Sequence, residues 1–488
     1  MSVLSPTEQL KKYWGYTEFR YPQAEVIQCL LNQQDALVVM PTGGGKSICF
    51  QLPAVLGQGL TIVVSPLIAL MENQVQELQA KGLPAVALHS ELPRPRRLQI
   101  LRSLAHQTYR LLYVAPETLF SPKLWELLSQ NTVKIAGLML DEAHCLVQWG
   151  ESFRPVYRRL GTLRQALQQS FSIAAFTATA DRATQQEICQ VLQLNNPQTF
   201  VLSPYRGHLQ LGVKTAWNPY CRHHLVQNFL AKYRGQSGLI YGRSRRDCEQ
   251  LSTRLNSEGW STVAYHGGLE AHKRRDIEQQ WLTGNLPFVV CTNAFGLGIN
   301  KANLRWILHY HPPHLLAEYL QEIGRAGRDQ QPAECLTLMS EPTGWLDNGD
   351  RQRRQYFNYQ SQQQYQRAKE QAKILPKRGN LLSLKSEFPD IEFSLALLHR
   401  LGQLTWLDPF HYQLREVPNP KTVKIPKFLS KRDTMTAYLT THQCRWQFLL
   451  KAFDLPENTM GFTCGNCDNC RRKMSSPWGR KRESLGQS

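Results

Sequence analysis

The stretch Met40-Pro41-Thr42-Gly43-Gly44-Gly45-Lys46-Ser47 constrains this chain more than any other. It follows the apolar run Ala36-Leu37-Val38-Val39, which reads as a buried strand. It leads into Ser47-Ile48-Cys49-Phe50-Gln51-Leu52, which reads as the start of a helix. Strand, Gly-rich loop, Gly-Lys-Ser and helix form a P-loop. Such a loop wraps backbone N–H groups around phosphates at a helix N-terminus. Here Pro41, Thr42, Gly43, Gly44 and Gly45 make the loop. Lys46 is expected to reach the β- and γ-phosphates, and Ser47 to offer its hydroxyl to Mg²⁺.

What such a loop does depends on its companions. Asp141-Glu142-Ala143-His144 follows a second buried-strand pattern, Ile135-Ala136-Gly137-Leu138-Met139-Leu140. A carboxylate at a strand end can hold a Mg²⁺ shell, and the next can orient and deprotonate the attacking water. Asp141 is therefore assigned to the metal and Glu142 to the base role. His144 is placed to relay the state of the nucleotide. Together with the P-loop, the pair signals nucleotide hydrolysis.

The 488 residues suffice for three or four domains, and 42% hydrophobic content supports real cores. The polar N-terminus does not resemble a signal peptide, and no apolar run approaches a membrane span. A soluble, intracellular chain is expected. A net charge of +19 favours a polyanionic partner, and nucleic acid suits it better than anionic lipid. Of the 12 cysteines, eight are scattered singly and read as reduced structural thiols. Cys444 and the cluster Cys464-Gly465-Asn466-Cys467-Asp468-Asn469-Cys470 read instead as a structural Zn²⁺ site. Two overlapping Cys-x-x-Cys steps match tetrahedral thiolate ligation and leave no open position for water. His442 is the one plausible substitute ligand.

Up to about residue 200, short apolar strands alternate with amphipathic helices. Strands are expected over 36–40, 61–65, 85–88, 111–115, 137–140 and 172–177. A second series is expected over 237–241, 262–265, 288–292, 306–309 and 334–339. The fold class is α/β, two tandem P-loop-type lobes with parallel doubly wound sheets, only the first carrying a P-loop. ATP is expected in a cleft between them, at strand C-termini. The expected boundaries are 1–203 and 204–342 for the lobes. Residues 343–432 hold a polar helix, a winged-helix-like segment and a basic linker. Residues 433–472 form the zinc module, and 473–488 a basic, disordered tail. Within 380–415, two helices (381–387 and 393–401) precede a hairpin (404–407 and 412–415) turning at Asp408-Pro409.

Further blocks sit at strand exits: Ser65-Pro66-Leu67, Ala115-Pro116-Glu117, Phe176-Thr177-Ala178-Thr179 and Cys291-Thr292-Asn293-Ala294-Phe295-Gly296. Gln321-Glu322-Ile323-Gly324-Arg325-Ala326-Gly327-Arg328 places two arginines on one segment. Arg325 and Arg328 are both candidates to neutralise the γ-phosphate in the transition state, and Gln321 joins the nucleotide set.

This set resembles the superfamily 2 helicases, and more narrowly the RecQ family of DNA helicases, over about residues 7–340 plus the zinc segment. Gly15-Tyr16-Thr17-Glu18-Phe19-Arg20-Tyr21-Pro22-Gln23 is similar to that family's adenine-recognition motif. The resemblance implies that Gln23 hydrogen-bonds adenine, Tyr16 stacks on it and Arg20 supports the site. Cys145-Leu146-Val147-Gln148-Trp149-Gly150-Glu151-Ser152-Phe153-Arg154-Pro155 resembles the family's aromatic-rich loop, which couples DNA binding to hydrolysis. Gln148 lies within it, Trp149 and Phe153 offer stacking faces, and Arg154 offers a charge. The resemblance implies an ATP- and Mg²⁺-dependent DNA helicase moving 3′ to 5′ on single-stranded DNA. It would open duplex or forked DNA in recombination, repair and replication, in the cytoplasm or nucleoid of a bacterium.

The pattern departs from the family after Cys470, where too little sequence follows for a winged helix and a small helical domain. Both are expected to be absent. A winged-helix-like stretch instead precedes the zinc cysteines, and its hairpin around Trp406, Phe410 and Tyr412 could act as a strand-separating wedge. Two rival functions are an RNA helicase of the same superfamily and a DNA-stimulated ATPase that binds or anneals without unwinding.

Overall fold

The computed structural model describes residues 5–130, 132–147, 154–295, 301–341, 343, 345–388, 390–415, 431–455 and 461–475. Its chain forms two compact units. One holds Met1–Met40, Gly44–Leu202 and Tyr359–Pro426, and the other holds Pro41–Gly43, Ser203–Asn358 and Lys427–Ser488.

The first unit is built on a seven-stranded sheet. Its strands are β1 (Ala36–Val39), β2 (Leu60–Val64), β3 (Ala85–Leu88), β4 (Leu111–Val114), β5 (Ile135–Leu140), β6 (Ser172–Thr177) and β7 (Gln198–Val201). All pairings are parallel, in the order β3-β4-β2-β5-β6-β1-β7. The apolar runs of β1, β2, β4 and β6 are buried throughout, because helices cover both faces of the sheet. β1 lies two strands from β5, so the P-loop and Asp141 leave the same edge of the sheet.

The second unit carries six parallel strands. They are β8 (Leu209–Ala216), β9 (Gly238–Tyr241), β10 (Ala264–Tyr265), β11 (Phe288–Cys291), β12 (Trp306–His309) and β13 (Ala333–Ser340), ordered β10-β11-β9-β12-β13-β8. Two strands of these two sheets escape the sequence reading. β7 is a largely exposed edge strand with no apolar run, Gln198-Thr199-Phe200-Val201. β8 is the opposite kind of edge, extending the sheet beside β13 along its full length.

The polar helix expected after the second lobe runs from Gly349 to Ala372. A small antiparallel sheet follows in the first unit: β14 (Arg378–Asn380), β15 (Leu404–Trp406) and β16 (His411–Leu414), ordered β14-β16-β15. Helices Leu381–Glu387 and Ile391–Arg400 lie between β14 and β15. Asn380 caps the first of these, accepting from the Leu382 N–H at 2.7 Å. Leu381, Ile391, Leu395, Leu398, Leu404, Trp406, Tyr412 and Leu414 give this module its own core.

The module does not present its hairpin aromatics. Trp406 and Tyr412 are buried. Phe410 packs edge-on against Phe120 and Trp125, at ring-centroid distances of 6.1 and 5.5 Å. An apolar ring that gains this contact gives up the exposure a wedge needs. Among the described residues, no helix is long and apolar enough to cross a membrane.

Candidate nucleotide and zinc sites

The P-loop closes the turn between β1 and helix Lys46–Leu56. Gly43 and Gly45 take φ of +79° and +78°, a region costly for any residue with a Cβ. A Cβ on Gly45 would lie 2.2 Å from Gln23 Nε2. The buried Gln23 amide fills that space, donating to the Gly45 carbonyl at 3.2 Å while its Oε1 accepts from the Arg20 N–H at 2.9 Å. The Gln23 segment and the phosphate loop are thus one hydrogen-bonded piece. Tyr16 and Arg20 lie exposed. Ser47 is half-buried at the helix start. Lys46 Nζ is buried and has no hydrogen-bond partner among the described residues. Pro41–Gly43 group with the second unit, where Thr42 Oγ1 donates to the Gly324 carbonyl at 2.8 Å.

Asp141 leaves β5 with its N–H bonded to the Val64 carbonyl at 2.9 Å. Burial and the adjacent Glu142 carboxylate push Asp141 up to about 6, opposed by the Lys46 ammonium. Glu142 takes a left-handed backbone, φ 50°, uncommon for a residue other than glycine and often found where a site stores strain. Its N–H donates to Asp141 Oδ1 at 3.0 Å. Its Oε2 lies 3.2 Å from His144 Nδ1, which also lies 3.1 Å from Thr177 Oγ1. Burial lowers the His144 pKa and keeps the ring neutral. The Thr177 hydroxyl donates to the Thr179 carbonyl at 3.3 Å, so the proton facing it belongs to His144 Nδ1. The half-buried Asp141 and the buried Glu142, His144 and Thr177 therefore form one chain from β5 to β6.

Gln148, Trp149 and Phe153 lie outside the described residues. Arg154 is engaged internally. It donates to the Pro66 carbonyl at 2.7 Å and to both Glu117 oxygens at 3.2 Å, tying two strand-exit segments together.

In the second unit, helix Leu316–Ile323 delivers the arginine segment. Gln321 is half-buried on its last turn. Glu322 is buried, bidentate with Arg243 at 2.9 Å, and lies 3.0 Å from His309 Nε2. Burial acts to raise the Glu322 pKa, but Arg243 and His309 outweigh it and hold the carboxyl at about 2. Arg325 is buried. Burial pushes Arg328 down to about 10, with the guanidinium charges of Arg325 and Arg206 adding to the effect. Three cations crowded in this way suit a polyanion. Arg206, which sequence reasoning did not single out, also donates to the Gly324 carbonyl at 2.9 Å. No motif marks it.

Cys444, Cys464, Cys467 and Cys470 bring their Sγ atoms within 4.8 Å of one another. Tetrahedral ligation with Zn–S bonds of about 2.3 Å places sulfurs about 3.8 Å apart, so this donor set fits zinc. Backbone N–H groups of Cys464 and Cys467 donate to Cys444 and Cys464 sulfurs at 3.3 Å, steadying thiolate charge. Arg445 clasps Asp468 at 2.6 and 2.9 Å, and Asp468 accepts from the Val213 N–H of β8 at 3.0 Å. His442 is exposed and outside the cluster. The other eight cysteines are free thiols.

Comparison with known proteins agrees with this geometry. Residues 20–188 match the DEAD/DEAH box helicase family, 221–330 the helicase conserved C-terminal domain, and 420–471 the RecQ zinc-binding family, which covers all four cysteines. ATP-dependent DNA helicase RecQ of Synechocystis is 55% identical over 469 residues, 95% of this chain and 97% of the relative. The Haemophilus influenzae protein of the same name is 42% identical over 339 residues, 69% of this chain and 54% of that relative. This chain therefore spans nearly all of one relative and about half of the other. Among solved structures, Mycobacterium smegmatis helicase Lhr bound to ssDNA and AMP-PNP aligns with a TM-score of 0.58 at 18% identity. That alignment covers 89% of this chain and 62% of Lhr, and it shows a shared fold. With motifs, two helicase domains, a four-thiolate zinc site and a full-length relative in agreement, this chain belongs to the RecQ family of ATP-dependent DNA helicases.

Proposed function

We propose that this chain hydrolyses ATP at its P-loop and uses the cycle to move 3′ to 5′ along single-stranded DNA, opening duplex or forked DNA. The observation that carries the reading is Lys46. A buried ammonium with no hydrogen-bond partner among the described residues is costly, and a phosphate chain would complete it. Around it, the loop 41–45 would cradle the phosphates, while Tyr16, Arg20, Gln23 and Gln321 would bind the rest of the nucleotide. Ser47 and Asp141 would hold a Mg²⁺ ion, which supplies charge neutralisation on the phosphates when bound. Glu142 takes the proton of the attacking water, and neutral His144 fixes the Glu142 carboxylate. Arg325 and Arg328 stabilise charge developing on the γ-phosphate. His144, Gln148, Trp149, Phe153 and Arg154 are proposed to couple DNA to this site.

The proposed functional boundaries are 1–203, 204–342, 343–432, 433–472 and 473–488. The proposed setting is the bacterial cytoplasm and nucleoid, in recombination, repair and replication, with protein partners there. Comparing ATPase stimulation by DNA and RNA oligonucleotides of one sequence tests the substrate. DNA alone should stimulate, and equal stimulation by RNA would favour an RNA helicase. Lys46→Ala should lower the ATPase at least about 100-fold while DNA still binds. Turnover that survives this change would refute the assignment of the P-loop.

A further inference from the structure

The 378–414 module is fastened to the first lobe by arginines. From helix Pro155–Thr162, Arg159 donates to the Pro409 carbonyl and to Glu392 Oε1, each at 3.0 Å. Its guanidinium lies 4.9 Å from the centre of the Phe120 ring and 5.9 Å from that of Trp406. Arg158 donates to His399 Nδ1 at 3.2 Å and to Glu187 Oε1 at 2.8 Å. Both guanidiniums are almost wholly buried, so separating the module would cost Arg159 its bonds to Pro409 and Glu392 and leave Arg158 only its bond to Glu187.

One contact of this seam runs further. Arg400, the last residue of helix Ile391–Arg400, donates to Glu187 Oε2 at 2.7 Å and to the Val147 carbonyl at 3.2 Å. Val147 closes the short 3₁₀ turn Ala143–Leu146, its N–H bonded to the His144 carbonyl at 3.0 Å. The start of that turn is Glu142, whose carbonyl accepts from the Cys145 N–H at 3.0 Å. Glu142 holds a left-handed backbone that the surroundings must enforce. The Asp141 end is pinned by β2, through the Val64 carbonyl. The other end is pinned by Arg400, with Glu187 holding Arg400 and Arg158 in one ionic cluster.

We propose that Arg400 is a positioning residue for nucleotide hydrolysis: from the appended module, it fixes the end of the turn that carries Glu142 and His144. The inference rests on the hydrolytic role proposed for Glu142. Arg400 touches no reacting atom. It sets where Glu142 and His144 sit, so its loss affects turnover more than nucleotide binding.

The test uses the full chain with Arg400→Met, which keeps most of the aliphatic stem and removes both donors, and with Arg400→Lys. ATPase is measured at saturating oligo(dT), and KM for ATP and the affinity of a fluorescent ATP analogue are measured in parallel. The expected result for Arg400→Met is a kcat lower by on the order of tenfold, with KM and analogue affinity within about twofold. Arg400→Lys, which can make one bond, should recover part of the loss. Hydrogen exchange supplies the control for folding. Amides of Ala143–Leu146 and Val147 should lose protection while those of β1 and β5 keep theirs. An unchanged kcat in a folded Arg400→Met protein would overturn the proposal. So would a loss of kcat accompanied by equal loss of protection in β1 and β5, which would mark a merely structural residue. Lys46→Ala, run beside these, separates the two claims. If it leaves ATPase intact, the hydrolytic reading fails, not the clamp alone.

Discussion

The two modules that follow the helicase lobes are held by opposite means. Among the described residues, the zinc module has no apolar cluster separate from that of the second lobe. Cys444, Trp446, Leu449, Cys467 and Cys470 belong to the same buried cluster as Leu209, Leu211 and Tyr319 of the second lobe. Trp446 Nε1 donates to the Leu209 carbonyl at 3.4 Å, and the Tyr438 hydroxyl to that of Tyr319 at 2.9 Å. The 378–414 module keeps its own core and meets the first lobe through a seam of buried guanidiniums and one aromatic cluster. Thiolate ligation therefore continues a lobe, whereas the arginine seam joins two bodies that each have their own packing. The first arrangement sets a four-thiolate metal site into the core of the lobe. The second makes attachment depend on a few charged hydrogen bonds, and it gives one of them, from Arg400, a route to the turn that follows Glu142.

Removing zinc should have the largest effect. A chelator, or Cys467→Ser, removes the staple from a cluster shared with the lobe. A stability loss on the order of 5 kcal/mol in the second unit is expected, with residues 433–472 unfolding. Thermal melts followed against metal content check this. A melt that does not move after one zinc per chain has left would break the contrast.

Arg159→Met should come next, at about 3 kcal/mol, because the Glu392 carboxylate and the Pro409 carbonyl lose a buried cationic donor. Limited proteolysis should release the module while its own amides stay protected from exchange. Unfolding of the module together with its release would show that its core does not stand alone. Phe410→Ala should cost about 2–3 kcal/mol of attachment. Since its ring packs against Phe120 and Trp125, unwinding and ATPase should fall together. A selective loss of unwinding would return the hairpin to a strand-separating role.

Much of this was legible in the sequence, for identifiable reasons. Central parallel strands are mainly apolar, so β1, β2, β4, β5 and β6 announce themselves, and the residues proposed to bind the nucleotide lie at their ends. The zinc site was legible because ligand spacing is local. β8 could have been found from the alternation Leu209-Gln210-Leu211, but β7 carries no pattern, being an exposed edge. The two helices and hairpin of the small module were readable, while its third strand, Arg378–Asn380, is too short and polar to show itself. What stayed hidden depends on pairing across distance. Arg206, Arg158, Arg159 and Arg400 look like ordinary basic residues in a chain of +19 net charge. Their partners lie far away in sequence: Gly324 for Arg206, His399 for Arg158, Pro409 for Arg159 and Val147 for Arg400. For the same reason the sequence leaves the hairpin aromatics available for DNA, whereas the ring of Phe410 packs against Trp125.

The most direct test of the central claim is strand displacement on matched DNA duplexes carrying either a 3′ or a 5′ single-stranded tail, with and without ATP and Mg²⁺. Opening of the 3′-tailed duplex alone, only with both ATP and Mg²⁺, is the predicted result. Failure to open either duplex, despite DNA-stimulated ATPase, would contradict it and leave a chain that hydrolyses ATP on DNA without separating strands.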